Sequence, residues 1–78
     1  MKVYELLNKI GWTPYCDIVV IIFDEYDLIE RRYDITQSML ERPERVPYFC
    51  KIATLDYFDI VGNQLKIYGK VSAKSIKQ

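Results

Sequence analysis

A chain of 78 residues, half of them hydrophobic, with eleven basic side chains against eleven acidic ones and no histidine, is one small domain near the size at which a core just holds itself without disulfides or metal. The balanced charge excludes the overall positive field of a general nucleic-acid binder and the negative field of a whole-molecule DNA mimic. Two cysteines without histidine fall short of the roughly four nitrogen or sulfur ligands of a structural zinc site, and the composition lies outside the disordered class.

Val3, Leu6, Leu7 and Ile10 recur with the spacing of a helix laid on a core, which predicts a helix over residues 2–10 with Gly11 as its C-terminal cap. Pro14 makes Trp12 to Tyr15 a connection, with Trp12 as a lid over helix and sheet edge. Asp17 to Glu25 contains Ile18-Val19-Val20-Ile21-Ile22-Phe23, apolar on both faces and therefore an interior strand. The polar tip Asp24-Glu25-Tyr26-Asp27 leads into a strand over Leu28 to Ile35. Ile29, Tyr33 and Ile35 share one of its faces and Glu30, Arg32 and Asp34 the other. Arg31 interrupts the apolar face, its stem covering the sheet or its head reaching a carboxylate. Asp34, with Gln37 three residues on, suits the cap of a short helix that ends before Pro43. Glu41 to Pro47 reads as an exposed loop or a second helical turn. Tyr48 to Val61 is expected as a strand, irregular near Thr54 to Asp56 because strict alternation would otherwise bury Asp56.

A turn at Gly62-Asn63 sets Val61 opposite Gln64, Ile60 opposite Leu65, Asp59 opposite Lys66, Phe58 opposite Ile67 and Tyr57 opposite Tyr68. This register gives one greasy face, and on the other an opposite-charge pair and an aromatic pair. Residues 72–78 read as a loose basic tail, since Lys66, Lys70, Lys74 and Lys77 are the only charges after Gly62. Two hairpins with helices apart from them imply an α+β domain over residues 1–78. Its element order is helix, strand, strand, helix, strand, strand, with a mainly antiparallel four-stranded sheet carrying two helices on one face.

Catalysis is not expected. Without histidine the commonest general base is missing, and the carboxylate pairs Asp24 with Asp27 and Asp56 with Asp59 are not aimed at one point by their spacing. The three glycines are explained as a cap, a turn and a strand rim rather than a phosphate loop, so no cofactor is expected. The longest apolar run, Ile18 to Phe23, is too short to span a bilayer. The opening residues lead into an amphipathic pattern rather than a secretory leader, which places free thiols in a cytoplasm. The features left over are surfaces. Tyr57 and Tyr68 with Lys66 and Lys70 form one candidate contact region, and Asp24, Glu25, Tyr26 and Asp27 another. Tyrosine on a sheet face favours a protein partner or a homodimer; a single-stranded nucleic acid stacked on the same rings is the alternative.

Val3-Tyr4-Glu5-Leu6-Leu7-Asn8-Lys9-Ile10, the strand Asp17-Ile18-Val19-Val20-Ile21 and the closing Gly62-Asn63-Gln64-Leu65-Lys66-Ile67 together resemble small accessory proteins encoded by phages and mobile elements of Firmicutes. The resemblance implies a phage or prophage setting in a bacterial cytoplasm. There, tiny domains often block host enzymes stoichiometrically, including as anti-CRISPR inhibitors of a defence nuclease. It carries no catalytic residue to any position of this chain.

Overall fold

The computed structural model describes residues 1–11 and 14–76; the lid expected of Trp12 and the charge at Lys77 lie outside them. Helix α1 spans Val3–Lys9, with the Glu5 carboxylate accepting from the Lys2 amide at 2.9 Å and with Val3 and Leu7 buried. It ends differently from the expectation. Ile10 is already extended (φ −101°, ψ 146°), so Gly11 is not needed as a left-handed cap.

Strands β1 (Asp17–Asp24), β2 (Glu30–Ile35), β3 (Thr54–Val61) and β4 (Gln64–Val71) form one sheet in the order β2-β1-β4-β3. The fold is α+β, but the sheet is mixed rather than mainly antiparallel. Both hairpins are antiparallel, and they join through a parallel seam running from Asp17 opposite Gln64 to Asp24 opposite Val71. A parallel neighbour needs a long crossover. Residues 36–53 supply it, and β1, apolar on both faces, is with β4 one of the two inner strands that take a neighbour on each side.

That crossover is three short helical pieces joined by extended residues. Helix α2 (Gln37–Glu41) is capped by Thr36, whose Oγ1 accepts from the Met39 amide at 3.3 Å, and not by Asp34. Gln37 donates instead to Glu41 at 3.0 Å. A 3-10 turn follows over Pro43–Arg45, resolving the loop or turn alternative. Tyr48–Ile52, expected as strand, is helix α3. Its residues are good strand formers, but Val46, Cys50 and Ala53 are all buried, and that spacing is met by a helix lying on the sheet. The tail is likewise not loose as far as it is described. Ala73–Ile76 is helix α4 with Ile76 fully buried, its first turn tied by the Ser72 hydroxyl accepting from the Ser75 amide at 3.3 Å.

Among the described residues there are four short α-helices rather than two, and α1, α3 and α4 carry Leu7, Cys50 and Ile76 onto one face of the sheet, against Ile18, Val20, Ile22, Ile35, Ile67 and Val71. The opposite face bears no helix among the described residues, yet Val19 and Ile21 are only 6% and 2% exposed. Register places Asp34 and Lys66 beside Val19, and Arg32 and Tyr68 beside Ile21, so long neighbouring side chains lie across them. Val19 and Ile21 are thus shielded although no helix of the described residues covers them.

Gly69 is a packing point, not a strand rim. A Cβ there would sit 2.6 Å from Val3 Cγ2 and 3.2 Å from both Ala53 Cβ and the Thr54 carbonyl oxygen, where α1 and the end of α3 press on β4. Val3 is β-branched and buried, so it has little freedom to yield. Gly69→Ala is expected to lower unfolding free energy by about 1–3 kcal/mol in a urea titration with unchanged slope. Gly11→Ala, with nothing within 4 Å of its Cβ, should stay within about 0.5 kcal/mol.

Candidate functional site

The tip between β1 and β2 is built around Asp24, which is 2% exposed. One of its carboxylate oxygens accepts from the Leu28 and Ile29 amides at 2.6 and 2.9 Å, and its backbone closes the turn by accepting from the Asp27 amide at 3.1 Å. Asp27 there adopts φ 58°, a left-handed conformation that aspartate tolerates. Hydrogen bonds from Ile29, then Leu28 and Tyr26, hold the Asp24 carboxyl below its ordinary value of 3.8, against an opposing effect of burial. Asp24 is therefore a structural brace and leaves the set of contact residues. Glu25 is also engaged, accepting from the Ala73 amide at 3.0 Å and so fastening α4 to the tip. Tyr26 and Asp27 are exposed.

Tyr57 and Tyr68 meet across β3 and β4 as the sequence register requires, their rings stacked at 4.4 Å with 13° between planes. Lys70 reaches Asp27 with a 3.2 Å ion pair and so links this face to the tip. Tyr57, Tyr68 and Lys70, with Phe23, Asp27 and Asp56, line a shallow depression of about 250 Å³. The two regions that looked separate in the sequence are thus neighbours on one surface. Lys66 sits in the next pair along, opposite Asp59, and both lie on the Tyr57 face by alternation.

Sequence reasoning missed the exposure of two apolar positions on β3. Phe58 and Ile60 point to the helix side, opposite Ile67 and Leu65 as expected, but remain 55% and 65% exposed. The helices bear on β1 and β4, and β3 lies outside them. The bulge between Leu55 and Tyr57 falls where it was expected and leaves Asp56 at the surface.

Family models, curated proteins and solved structures offer no match to this chain. Its chemistry has to be read from its own groups. A larger open cleft, about 520 Å³, lies beyond the ends of β1 and β4 and includes Lys2, Glu25, Lys70, Ser72 and Ser75. Several of its polar groups already have partners: Lys2 Nζ donates to the Ile52 carbonyl at 2.8 Å, Glu25 serves α4, and the Ser72 and Ser75 hydroxyls bond each other at 2.8 Å. Cys50 and Cys16 are free thiols; burial pushes Cys50 up to about 12, so it packs as a neutral side chain. Among the described residues no three Cys, Asp or Glu side chains gather as a metal-holding group, and no helix is long and apolar enough to cross a membrane.

Two measurements check this assignment of structural roles. Because the folded Asp24 pKa is depressed, its contribution to stability is complete above the ordinary value of 3.8 and disappears as pH falls through the lower folded value. Asp24→Asn should lower the melting temperature at neutral pH and shrink the difference from the parent chain in that acid window. Cys50, with its pKa near 12, should resist alkylation at pH 8 in the native protein and react at the ordinary rate once urea unfolds the chain.

Proposed function

We propose that this chain is a non-catalytic docking module that binds a larger protein through the surface formed by Tyr57, Tyr68, Lys66, Lys70, Tyr26 and Asp27. The observation that carries the reading is the continuity of this surface: a stacked tyrosine pair, a linking ion pair and a shallow depression. Amphipathic rings with few rotamers next to mixed charge are the make-up of a protein contact. Support also comes from groups that would be candidates for chemistry but have structural work: Asp24 braces the tip, Glu25 ties down α4 and Cys50 packs in the core. The phage resemblance narrows the partner to a host protein in the bacterial cytoplasm, of the defence-nuclease kind, inhibited one-to-one as anti-CRISPR proteins inhibit. Two free thiols suit such a compartment.

Single-stranded nucleic acid on the same face is the weaker reading. Tyr57 and Tyr68 stack on each other, Lys70 is paired with Asp27, and Asp59 lies beside Lys66. A phosphate backbone would meet carboxylates as often as ammonium groups.

The test is capture from host extract followed by isolation of a stoichiometric complex by size exclusion. Tyr57→Ala and Lys66→Glu should each weaken the complex by about tenfold or more, or roughly 1.4 kcal/mol, without moving the melting temperature by more than a few degrees. Absence of any stable partner, or capture indifferent to both substitutions, removes the proposal. A single-stranded oligonucleotide should show no binding at low salt; affinity that falls steeply with rising salt would transfer the site to nucleic acid.

A further inference from the structure

Among the described residues, the outer lane of β3 is occupied only at its start. There Leu55 donates its amide to the Met1 carbonyl at 2.8 Å, and Lys2 bridges to Thr54. Beyond it, the direction of each backbone group follows from the hairpin. Gly62, at φ 62°, opens a two-residue turn, which makes Val61 and Gln64 a hydrogen-bonded pair. By alternation Asp59 and Tyr57 also bond to β4, while Phe58 and Ile60 turn their N–H and C=O groups outward. The bulge inverts the alternation, and the Leu55 amide accordingly faces out as well.

The two edges of the sheet differ. β2 carries Glu30, Arg31, Arg32 and Asp34, the charges that discourage a stray strand. β3 carries a single charge, Asp59, between its free groups, and Tyr57, Phe58, Ile60 and Val61 are each more than half exposed.

We infer that β3 accepts an extended segment of the partner as a fifth strand, with apolar side chains beside Phe58 and Ile60 and a lysine or arginine opposite Asp59. This rests on the docking reading and narrows it to one edge and one chemistry. Asp59 and Asp56 have no side-chain ion pair or hydrogen bond among the described residues, where Lys70 with Asp27 is the ion pair formed. Asp56 also borders the depression lined by Tyr57, Tyr68, Phe23 and the Lys70–Asp27 ion pair, and with Lys70 neutralised by Asp27, rings beside a further carboxylate suit a cation. Both observations select a basic strand.

A second copy of the chain is a poor occupant. Outward residues pair only with outward residues, which limits the two-fold registers. Centred on Phe58, the second copy's Val61 would fall opposite Leu55, where Met1 already lies. Centred on Asp59, two carboxylates face each other in a non-hydrogen-bonded pair, the closest approach in an antiparallel ladder. Centred on Ile60, the ladder runs at once into the left-handed Gly62.

The experiment uses the full chain with two short capped peptides, one alternating valine and lysine, the other valine and glutamate, followed by amide exchange and chemical shifts in NMR. The lysine peptide should slow exchange at Phe58 and Ile60 and shift residues 57–61; the glutamate peptide should bind about tenfold or more weakly. Ile60→Pro removes an outward N–H while sparing the bonds to β4, as proline on an edge can, and should abolish binding. Asp59→Lys, which alters no backbone group, should reverse the peptide preference and keeps the test valid if the proline variant fails to fold. Equal binding of the two peptides, no protection at Phe58 and Ile60, or a dimer that protects those amides unaided would overturn the inference. A host complex that persists with Ile60→Pro or Asp59→Lys but is lost with Tyr57→Ala and Lys66→Glu would remove the edge and keep the docking module; loss of no complex by any of them removes both.

Discussion

The parallel seam between β1 and β4 is the constraint on which the rest of the molecule depends. β1 is apolar on both faces, so it has to be covered above, below and along both edges. β2 covers one edge through the first hairpin. The other edge can be covered only by a strand brought back across the sheet, and residues 36–53 are folded into three short helical pieces that do this while roofing the core. The roof packs tightly on the seam because β4 carries Gly69 where Val3 and Ala53 press closest. One small residue lets helix and sheet approach, and Val3 and Ala53 are fully buried as a result.

What the seam leaves over is as informative as what it encloses. Helices of four to seven residues can roof the two inner strands but do not extend over β3. Phe58 and Ile60 therefore sit on the apolar side of the sheet without a roof. On the opposite side the reverse happens: Val19 and Ile21 lack a helix but lie between rows of long side chains from β2 and β4 and are sealed. Exposure in this fold is thus set less by which face a residue occupies than by how far it lies from the seam.

This explains which parts of the structure could be read from the sequence. The second hairpin was fully legible, since a glycine-led turn, alternation and two favourable cross-strand pairs all select one register. The interior strand and the bulge near Asp56 followed from the cost of burying charge or exposing a long apolar run. The parallel sense was not legible, because each hairpin is locally complete and says nothing about how the two meet. α3 was hidden by residues that favour strands locally; only Val46, Cys50 and Ala53, taken together as one buried stripe, point to a helix. Asp24 looked like part of an exposed acidic cluster because a carboxylate that accepts two backbone amides is indistinguishable in sequence from one that faces water. The exposure of Phe58 and Ile60 was missed for the same reason as the sheet order, as both depend on β3 being outermost.

The distribution of used and unused carboxylates follows the same geometry. Asp24 and Glu25, close to the seam, are committed to the tip and to α4, and Asp27 holds Lys70. Asp56 and Asp59, on the edge strand β3, have no such side-chain partner among the described residues, and they stand beside aromatic and aliphatic side chains that are also unroofed. An isolated domain derives no stability from leaving apolar area and unpaired charge together on an open edge. On the strand-addition reading we propose, the same acid at Asp59 that would repel a second copy in the most open register would attract a basic strand. One residue would then bias the edge against self-pairing and toward a different chain, supplying both the affinity and the discrimination.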